Sequence, residues 1–196
     1  MSNGGLTLDA GQLDNRQGTL GSQGAQALTV RQDLNNQGGM LASGQALTLT
    51  LQGALDNQKG TVQGDSLQLN ASSLDNRGGG IKALGAGDSR IQLGGKLDNS
   101  AAGTLAANGN LTLSANQLDN SGSVLQSAAT LDVQLKQDAQ NSGGTLQAGQ
   151  LKLSAASLGN QHGQIGQAGA GWPRWPSAAR STTATRARSS PAASCT

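Results

Sequence analysis

Aspartate is the residue of this chain most suited to chemistry, because eleven Asp and no Glu supply all of its side-chain carboxylates. Five of them recur within a repeated Leu-Asp-Asn phrase, at Asp14, Asp56, Asp75, Asp98 and Asp119. A column of carboxylates could attract calcium weakly, but the Gly-Gly-x-Gly-x-Asp nonapeptide of calcium-binding β-helices is absent. Asp also favours turns by bonding to nearby backbone. We therefore interpret these aspartates as solvated turn residues.

The chain contains few residues that could ligate a metal ion or act as a nucleophile. A metal site needs several convergent ligands, and the chain has one histidine, His162, and one cysteine, Cys195. His162 follows Asn160 by two residues, as Gln17 follows Asn15, so it occupies a variable turn position and not that of an acid-base residue. The sequence therefore predicts no catalytic residue, no metal, no cofactor and no internal disulfide.

A β-helical polysaccharide lyase or hydrolase is the enzymatic alternative. Such enzymes need paired carboxylates, or a carboxylate with Arg or Lys, in a groove built where rungs break the repeat. Most carboxylates here lie in the repeated turn, and no aromatic residue precedes Trp172. We therefore predict that the chain is not an enzyme, and turnover of polygalacturonate or a related glycan would contradict this.

These residues are carried by an internal repeat, in which Leu-x-Leu is followed by Leu-Asp-Asn or a variant and then by Gly-x-Leu or Gly-x-Ile. Its leading residues, spaced by 22, 19, 20, 24, 20, 20 and 20, are Leu6, Leu28, Leu47, Leu67, Ile91, Leu111, Leu131 and Leu151. Its closing asparagines are Asn15, Asn36, Asn57, Asn76, Asn99, Asn120, Asn141 and Asn160. Both markers have a period of about 21 residues, which is typical of solenoids.

Each repeat unit reads as short strands and turns. Leu alternates with Thr, as in Leu6-Thr7-Leu8, which is the period of a half-buried strand. Leu-Asp-Asn then supplies one more inward leucine and two turn-favouring residues. The backbone is expected to bend at the glycines that follow, at Gly18, Gly60, Gly103, Gly122 and Gly163. We predict two short strands and two turns per unit, the second strand being the apolar step after the glycine.

Such a unit is too small to enclose a core, so it must bury its leucines against the next copy. We predict an all-β fold, a right-handed parallel β-helix of about eight rungs of ~20 residues stacked at ~4.8 Å. The closing asparagines would form a hydrogen-bonded ladder. The predicted core leucines are Leu6, Leu8, Leu13, Leu47, Leu49, Leu67, Leu69, Leu74, Leu111, Leu113, Leu118, Leu151 and Leu153. The chain lacks the Leu-x-x-Leu-x-Leu-x-x-Asn spacing that a leucine-rich repeat requires. An antiparallel β array with two strands per repeat is not excluded by the periodicity.

The longest interval between repeats contains an insertion at Leu84-Gly85-Ala86-Gly87-Asp88. We predict that it forms a loop outside the stack. Insertions in solenoids often lie on a binding face, and a tolerated change of length is the alternative.

Charge divides the chain into a stem, residues 1–170, and a tail, residues 171–196. Up to Gly171 nine basic residues face eleven Asp, a net charge of −2, whereas the tail carries four Arg and no acid. The stem offers neither a basic face nor aromatic residues for stacking, so nucleic-acid binding is not expected. The tail reads as a disordered basic segment, or as the product of a shifted reading frame.

The segment Leu67-Gln68-Leu69-Asn70-Ala71-Ser72-Ser73-Leu74-Asp75-Asn76-Arg77-Gly78-Gly79, with its seven related phrases, resembles the repeats of filamentous haemagglutinin-like adhesins and contact-dependent inhibition effectors. The resemblance covers about residues 4–170. It implies a right-handed β-helical rod on a Gram-negative cell surface, exported by an outer-membrane partner of two-partner secretion. The rod would hold an adhesive or toxic tip toward a host or neighbouring cell.

The ends of the chain and of the predicted β-helix give two further expectations. No export signal or membrane-spanning apolar run is visible, so we interpret the chain as a stem fragment of a larger secreted protein, or of a disrupted gene. Both terminal rungs would present unpaired strand edges and leucines. We therefore expect self-association through the ends of the β-helix.

Overall fold

The computed structural model describes residues 2–168 and 180–181, which consist of strands, turns and bends without a helix. The strands are β1 (Leu6–Ala10), β2 (Leu13–Asp14), β3 (Thr19–Ser22), β4 (Gln26–Val30), β5 (Leu34–Asn35), β6 (Met40–Ser43), β7 (Ala46–Leu51), β8 (Leu55–Asp56), β9 (Thr61–Gly64), β10 (Ser66–Ala71), β11 (Leu74–Asp75), β12 (Gly80–Ala83), β13 (Ser89–Leu93), β14 (Lys96–Asp98), β15 (Thr104–Ala107), β16 (Leu111–Ala115), β17 (Gln117–Asp119), β18 (Val124–Leu135), β19 (Asp138–Gln140), β20 (Thr145–Ser154), β21 (Ser157–Gly159), β22 (Gln164–Gln167) and β23 (Arg180–Ser181). The tail predicted to be disordered over 171–196 lies outside the described residues, apart from β23, which pairs with β21.

Each rung contains three strands, not the two predicted from the sequence. In the first rung these are β1, β2 and β3, and the pattern returns in every later rung. The additional strand is the Leu-Asp pair itself, as in Leu13–Asp14, which pairs with Leu34–Asn35 of the next rung. Two residues are too few to display alternation, so the sequence indicated only a turn there.

All strand pairs in the described part are parallel, which excludes the antiparallel array. The first strands stack in the order β1-β4-β7-β10-β13-β16 and continue into β18, while the middle strands stack in the order β2-β5-β8-β11-β14-β17-β19-β21. β18 and β20 run through a corner, so each supplies the third strand of one rung and the first strand of the next. The fold is a parallel β-solenoid of about eight turns, as predicted.

Strand register corrects two of the leading residues assigned from the sequence. Leu28 is aligned with Leu8 and Leu49, one position further along the inward face than expected. The residue that stacks on Leu6 and under Leu47 is Gln26, which is 1% exposed.

Ile91 is displaced in the same way, because it is aligned with Leu69 and Leu113. The corresponding leading position is filled by Ser89, which lies beside Leu111 and is buried. Polar residues at these inward positions interrupt the apolar pattern from which the repeats were aligned.

The core is a stack of aliphatic side chains inside the coil. Ten predicted core leucines are buried: Leu47, Leu49, Leu67, Leu69, Leu74, Leu111, Leu113, Leu118, Leu151 and Leu153. Leu6, Leu8 and Leu13 are half-buried because they belong to the first rung. In the first seven rungs alanine, serine or glycine fills the last inward position of the third strand, as at Ala83, Ser127 and Gly64, where the chain turns the corner.

Candidate functional site

Eight asparagine side chains form one column along the stack, at the end of the middle strands. Asn15 Nδ2 donates to Asn36 Oδ1 at 2.6 Å, and the same bond continues from rung to rung as far as Asn160 at 2.6–2.8 Å. The six asparagines from Asn36 to Asn141 are fully buried, whereas Asn15 is 7% exposed and Asn160 is half-buried. This column is the asparagine ladder.

Each ladder amide also secures its own turn. Asn76 Nδ2, for example, donates to the carbonyl oxygens of Gly79 and Thr104 at 3.4 and 3.2 Å, besides Asn99 Oδ1 at 2.7 Å. A buried amide can satisfy donors and acceptors together without carrying charge, which a buried carboxylate cannot do. The ladder therefore joins successive rungs and closes each turn without an uncompensated charge.

The turn after each ladder asparagine requires a left-handed residue. Gln17, Lys59 and His162 occupy this position with φ values of 54°, 55° and 56°. Glycine fills it in four other rungs, at Gly38, Gly78, Gly122 and Gly143. His162 thus lies in an exposed turn, at the position predicted for it.

The residue after the left-handed position is glycine in seven of the eight rungs, because the rung beneath leaves no room for a side chain. A Cβ on Gly39 would overlap the Asn15 carbonyl oxygen, and one on Gly60 the Asn36 carbonyl oxygen. Gly122, which the sequence assigned to this position, belongs instead to the left-handed position. Ser123 takes the tight position in the sixth rung and is buried.

An additional residue in the turn of the fifth rung explains why Ser123 fits. Gly103 follows Asn99 by four positions, and its N–H donates to Ser100 O, not to the carbonyl of Asn99. A Cβ built on Gly103 would lie 2.5 Å from Asn99 O, whereas one on Gly18 would lie 3.4 Å from Asn15 O. The Asn99 carbonyl therefore turns toward its own rung and leaves space for the Ser123 side chain above it.

The aspartates of the repeated phrase form a column on the outside of the same turn, in which Asp56, Asp75, Asp98 and Asp119 are aligned in consecutive rungs and Asn35 separates them from Asp14. Asp14, Asp56, Asp75, Asp98 and Asp119 each accept, through Oδ1, the backbone N–H two residues later at 3.1 Å. Within the described residues no group of three or more His, Cys, Asp or Glu side chains could hold a metal ion. Each aspartate of the column therefore stabilises its own turn by accepting a backbone hydrogen bond.

Neighbouring cations and hydroxyls offset the charge of the column. Arg16 lies 2.6 Å from Asp14 and holds the pKa of that carboxyl below its usual value. Burial alone would raise the pKa of Asp98, but hydrogen bonds from Ser100 and Lys96 outweigh it and lower that pKa. Lys96 also reaches Asp119 at 3.5 Å and so bridges two rungs.

Sequence reasoning missed a polar groove beside the Leu84–Asp88 insertion, here named the insertion groove. Its walls are Gln68, Asp88, Arg90, Asn110, Thr112 and Asp132. The longest interval between repeats was the available signal, but only the register of the stack shows that Arg90 and Asp132, 42 positions apart, share one face.

A family model described as the haemagglutinin repeat matches residues 1–59, 27–101, 84–136 and 127–171, which overlap and span the whole stem. The chain belongs to the haemagglutinin repeat family. Haemagglutinin repeat β-helices are typical of filamentous adhesin stems, occur in secreted adhesins and are generally non-catalytic. No curated protein and no solved structure shows significant similarity to the chain. Among the described residues, no helix is long and apolar enough to cross a membrane.

Proposed function

We propose that this haemagglutinin repeat segment is a structural stem of a secreted, cell-surface filamentous adhesin or contact-dependent inhibition protein. In this role it holds a distal tip away from the cell that exports it. The parent protein reaches the outer surface through an outer-membrane secretion partner and contacts a host or neighbouring cell.

The observation that carries this proposal is the unbroken asparagine ladder. Seven successive amide bonds of 2.6–2.8 Å connect all eight rungs, so neighbouring rungs are fixed in register. Parallel strands on three sides of each rung add backbone hydrogen bonds along the same axis. Eight rungs at ~4.8 Å each give a rod about 38 Å long.

The fold also suits an extracellular stem because it does not depend on a deep hydrophobic core. Each rung buries its leucines only against its neighbours, so the rod can be lengthened by adding rungs. Asparagine and serine side chains carry much of the buried polar bonding, and described ion pairs such as Arg16–Asp14 lie on the surface. Stability of the rod should therefore depend only weakly on salt.

The test inserts the full chain between an outer-membrane anchor and a fluorescently labelled tip on a reporter cell. Förster transfer between a membrane dye and the tip should give one narrow distance distribution. The matched control is a Gly/Ser linker of equal length, which behaves as a random coil and should give a broad distribution. Equal widths for the chain and the linker would refute the stem function, as would turnover of polygalacturonate or a related glycan by the chain.

A further inference from the structure

Asn108 and Gly109 form an Asn-Gly pair at the corner after β15, next to the insertion at Leu84–Asp88. Such a pair is chemically labile, because glycine has no side chain to shield its backbone nitrogen from the neighbouring amide carbon. Packing requires this glycine, since a Cβ on Gly109 would overlap the carbonyl oxygens of Ala86 and Gly87. The insertion therefore imposes a labile pair at a position where the Asn108 side chain is exposed to water.

The backbone nitrogen of Gly109 is free to react, although the peptide groups around it are held in place. Asn108 N–H donates to Ala83 O at 2.9 Å, and Ser127 Oγ donates to Gly109 O at 2.7 Å. The Gly109 N–H donates to no described residue. The Asn108 side chain makes one hydrogen bond to the described part of the chain, from Nδ2 to Leu84 O at 2.6 Å. The attacking nitrogen is thus unbonded, and a single bond holds the amide that would leave.

The asparagines of the ladder lack both features. Asn120 is fully buried, which excludes water, and its Nδ2 makes three hydrogen bonds. The N–H that follows it, on Ser121, donates to Asp119 Oδ1 at 3.1 Å. The preceding aspartate holds the next N–H in the same way after Asn15, Asn57, Asn76 and Asn99. The aspartates of the repeated phrase therefore restrain the nitrogen that would attack a ladder amide.

We propose that Asn108 is a self-modification site, at which the chain converts asparagine to a mixture of aspartate and isoaspartate. The Gly109 nitrogen gives up its proton to water and bonds to Asn108 Cγ. The Cγ–Nδ2 bond breaks, the amide group takes a proton from water and leaves as ammonia, and a succinimide ring remains. A water molecule then opens the ring, at Cγ to give aspartate or at the main-chain carbonyl carbon to give isoaspartate. The net reaction consumes one water and releases one ammonia, with no oxidation or reduction.

The modification reverses the interaction that holds the insertion. An ionised carboxylate has no donor, so it would repel Leu84 O where the Asn108 amide donates to it. Isoaspartate also adds a main-chain carbon before Gly109, whose backbone is packed against the insertion. The Leu84 N–H donates to Gly64 O at 2.8 Å, and this bond should open more often after conversion. The rod thus carries a slow, irreversible release of its insertion loop, which goes beyond the stem function and does not depend on it.

Peptide mapping by mass spectrometry tests the reaction on the full chain kept in mildly alkaline buffer, with electron-transfer fragmentation to distinguish isoaspartate. Asn108 should convert within about tenfold of the rate of a synthetic peptide of residues 104–112, since one side-chain hydrogen bond must break. It should convert at least about tenfold faster than Asn120, whose amide makes three. Asn108→Gln is the matched control, because its amide carbon lies one methylene further along the side chain and should stay intact.

Hydrogen–deuterium exchange tests the release of the insertion. Asn108→Asp should make the Leu84 N–H exchange about tenfold faster or more, whereas Asn108→Gln, which keeps an uncharged amide donor, should change it less. Circular dichroism should show both variants folded. The proposal is overturned if Asn108 stays intact while the peptide converts, if Asn120 converts as fast as Asn108, or if Asn108→Asp leaves exchange at Leu84 unchanged. None of these outcomes alters the distance distribution that tests the stem.

Discussion

The asparagine ladder makes its strongest prediction at Asn76, in the middle of the stack. Asn76→Ala removes the acceptor of Asn57 Nδ2 and the donor to Asn99 Oδ1, two buried groups that lose ladder bonds of 2.7 Å. Asn99 Oδ1 is left without a donor, which costs about 1–3 kcal/mol, while Asn57 Nδ2 keeps only its longer bonds to Gly60 O and Gly80 O at 3.3 and 3.5 Å. The variant should therefore lose about 2–4 kcal/mol of unfolding free energy. Asn160→Ala, at the half-buried end of the ladder, deprives only Asn141 Nδ2 of an acceptor and should lose about 1 kcal/mol.

Asn76→Asp separates the hydrogen-bond pattern from the loss of volume. The new carboxyl would place an oxygen against Asn99 Oδ1 and the carbonyl oxygens of Gly79 and Thr104, all of which are acceptors. Burial and these acceptors should raise its folded pKa above the unfolded value of about 3.9. Its stability deficit should therefore be smallest below about pH 4 and grow as pH rises through the folded pKa.

Urea denaturation of the full chain, followed by far-ultraviolet circular dichroism between pH 3 and pH 8, measures these effects. Both midpoint and slope should be compared with wild type, because repeat arrays can depart from two-state unfolding. The deficit of Asn76→Ala should not vary with pH. If Asn76→Ala costs no more than Asn160→Ala, or if Asn76→Asp shows the same deficit at pH 4 and pH 8, the ladder does not hold the rungs together.

Three further substitutions test other parts of the rung by the same urea assay. Gln26→Leu should stabilise the chain by about 1–3 kcal/mol, because the Gln26 amide is buried without a hydrogen-bond partner; an unchanged midpoint would show that its amide is satisfied. Gly39→Ala should destabilise it by at least about 2 kcal/mol, since the added Cβ overlaps the Asn15 carbonyl, whereas Gly11→Ala, with nothing within 4 Å, should be tolerated. Because the pKa of Asp98 is lowered, its ionised carboxylate stabilises the fold above the unfolded pKa of about 4, and this stabilisation is lost as pH falls through the folded pKa. Asp98→Asn should therefore reduce the loss of unfolding free energy on acidification, and an unchanged pH dependence contradicts this.

The sequence predicted the parallel stack and the asparagine column because both depend on one residue type returning at one phase. It did not predict positions where a polar residue stands at an inward site. The sequence assigned the leading inward position to Leu28 and Ile91 instead of Gln26 and Ser89, because repeats aligned by their apolar residues take the nearest apolar residue as the equivalent one. Ser89 is tolerated because its Oγ accepts the Leu67 N–H at 3.0 Å, a bond that no sequence pattern reveals.

The insertion groove escaped prediction for a different reason. Arg90 and Asp132 are 42 residues apart, and they share a face only because every intervening rung keeps its register. Asp88 and Asn110 meet across the insertion, where the spacing of the repeat no longer indicates which residues are aligned. At irregular positions, the register of the neighbouring rungs and not the repeat pattern therefore determines which residues meet.

The fit of Ser123 above the long turn of the fifth rung bears on how such a rod can change during evolution. Repeat genes grow and shrink by unequal recombination, which copies or deletes whole units as though they were equivalent. Here they are not equivalent, because a sixth rung placed above any turn of ordinary length would drive the Ser123 side chain into the carbonyl below. We therefore expect a duplication or deletion of rungs to be tolerated best when it keeps the fifth and sixth rungs together.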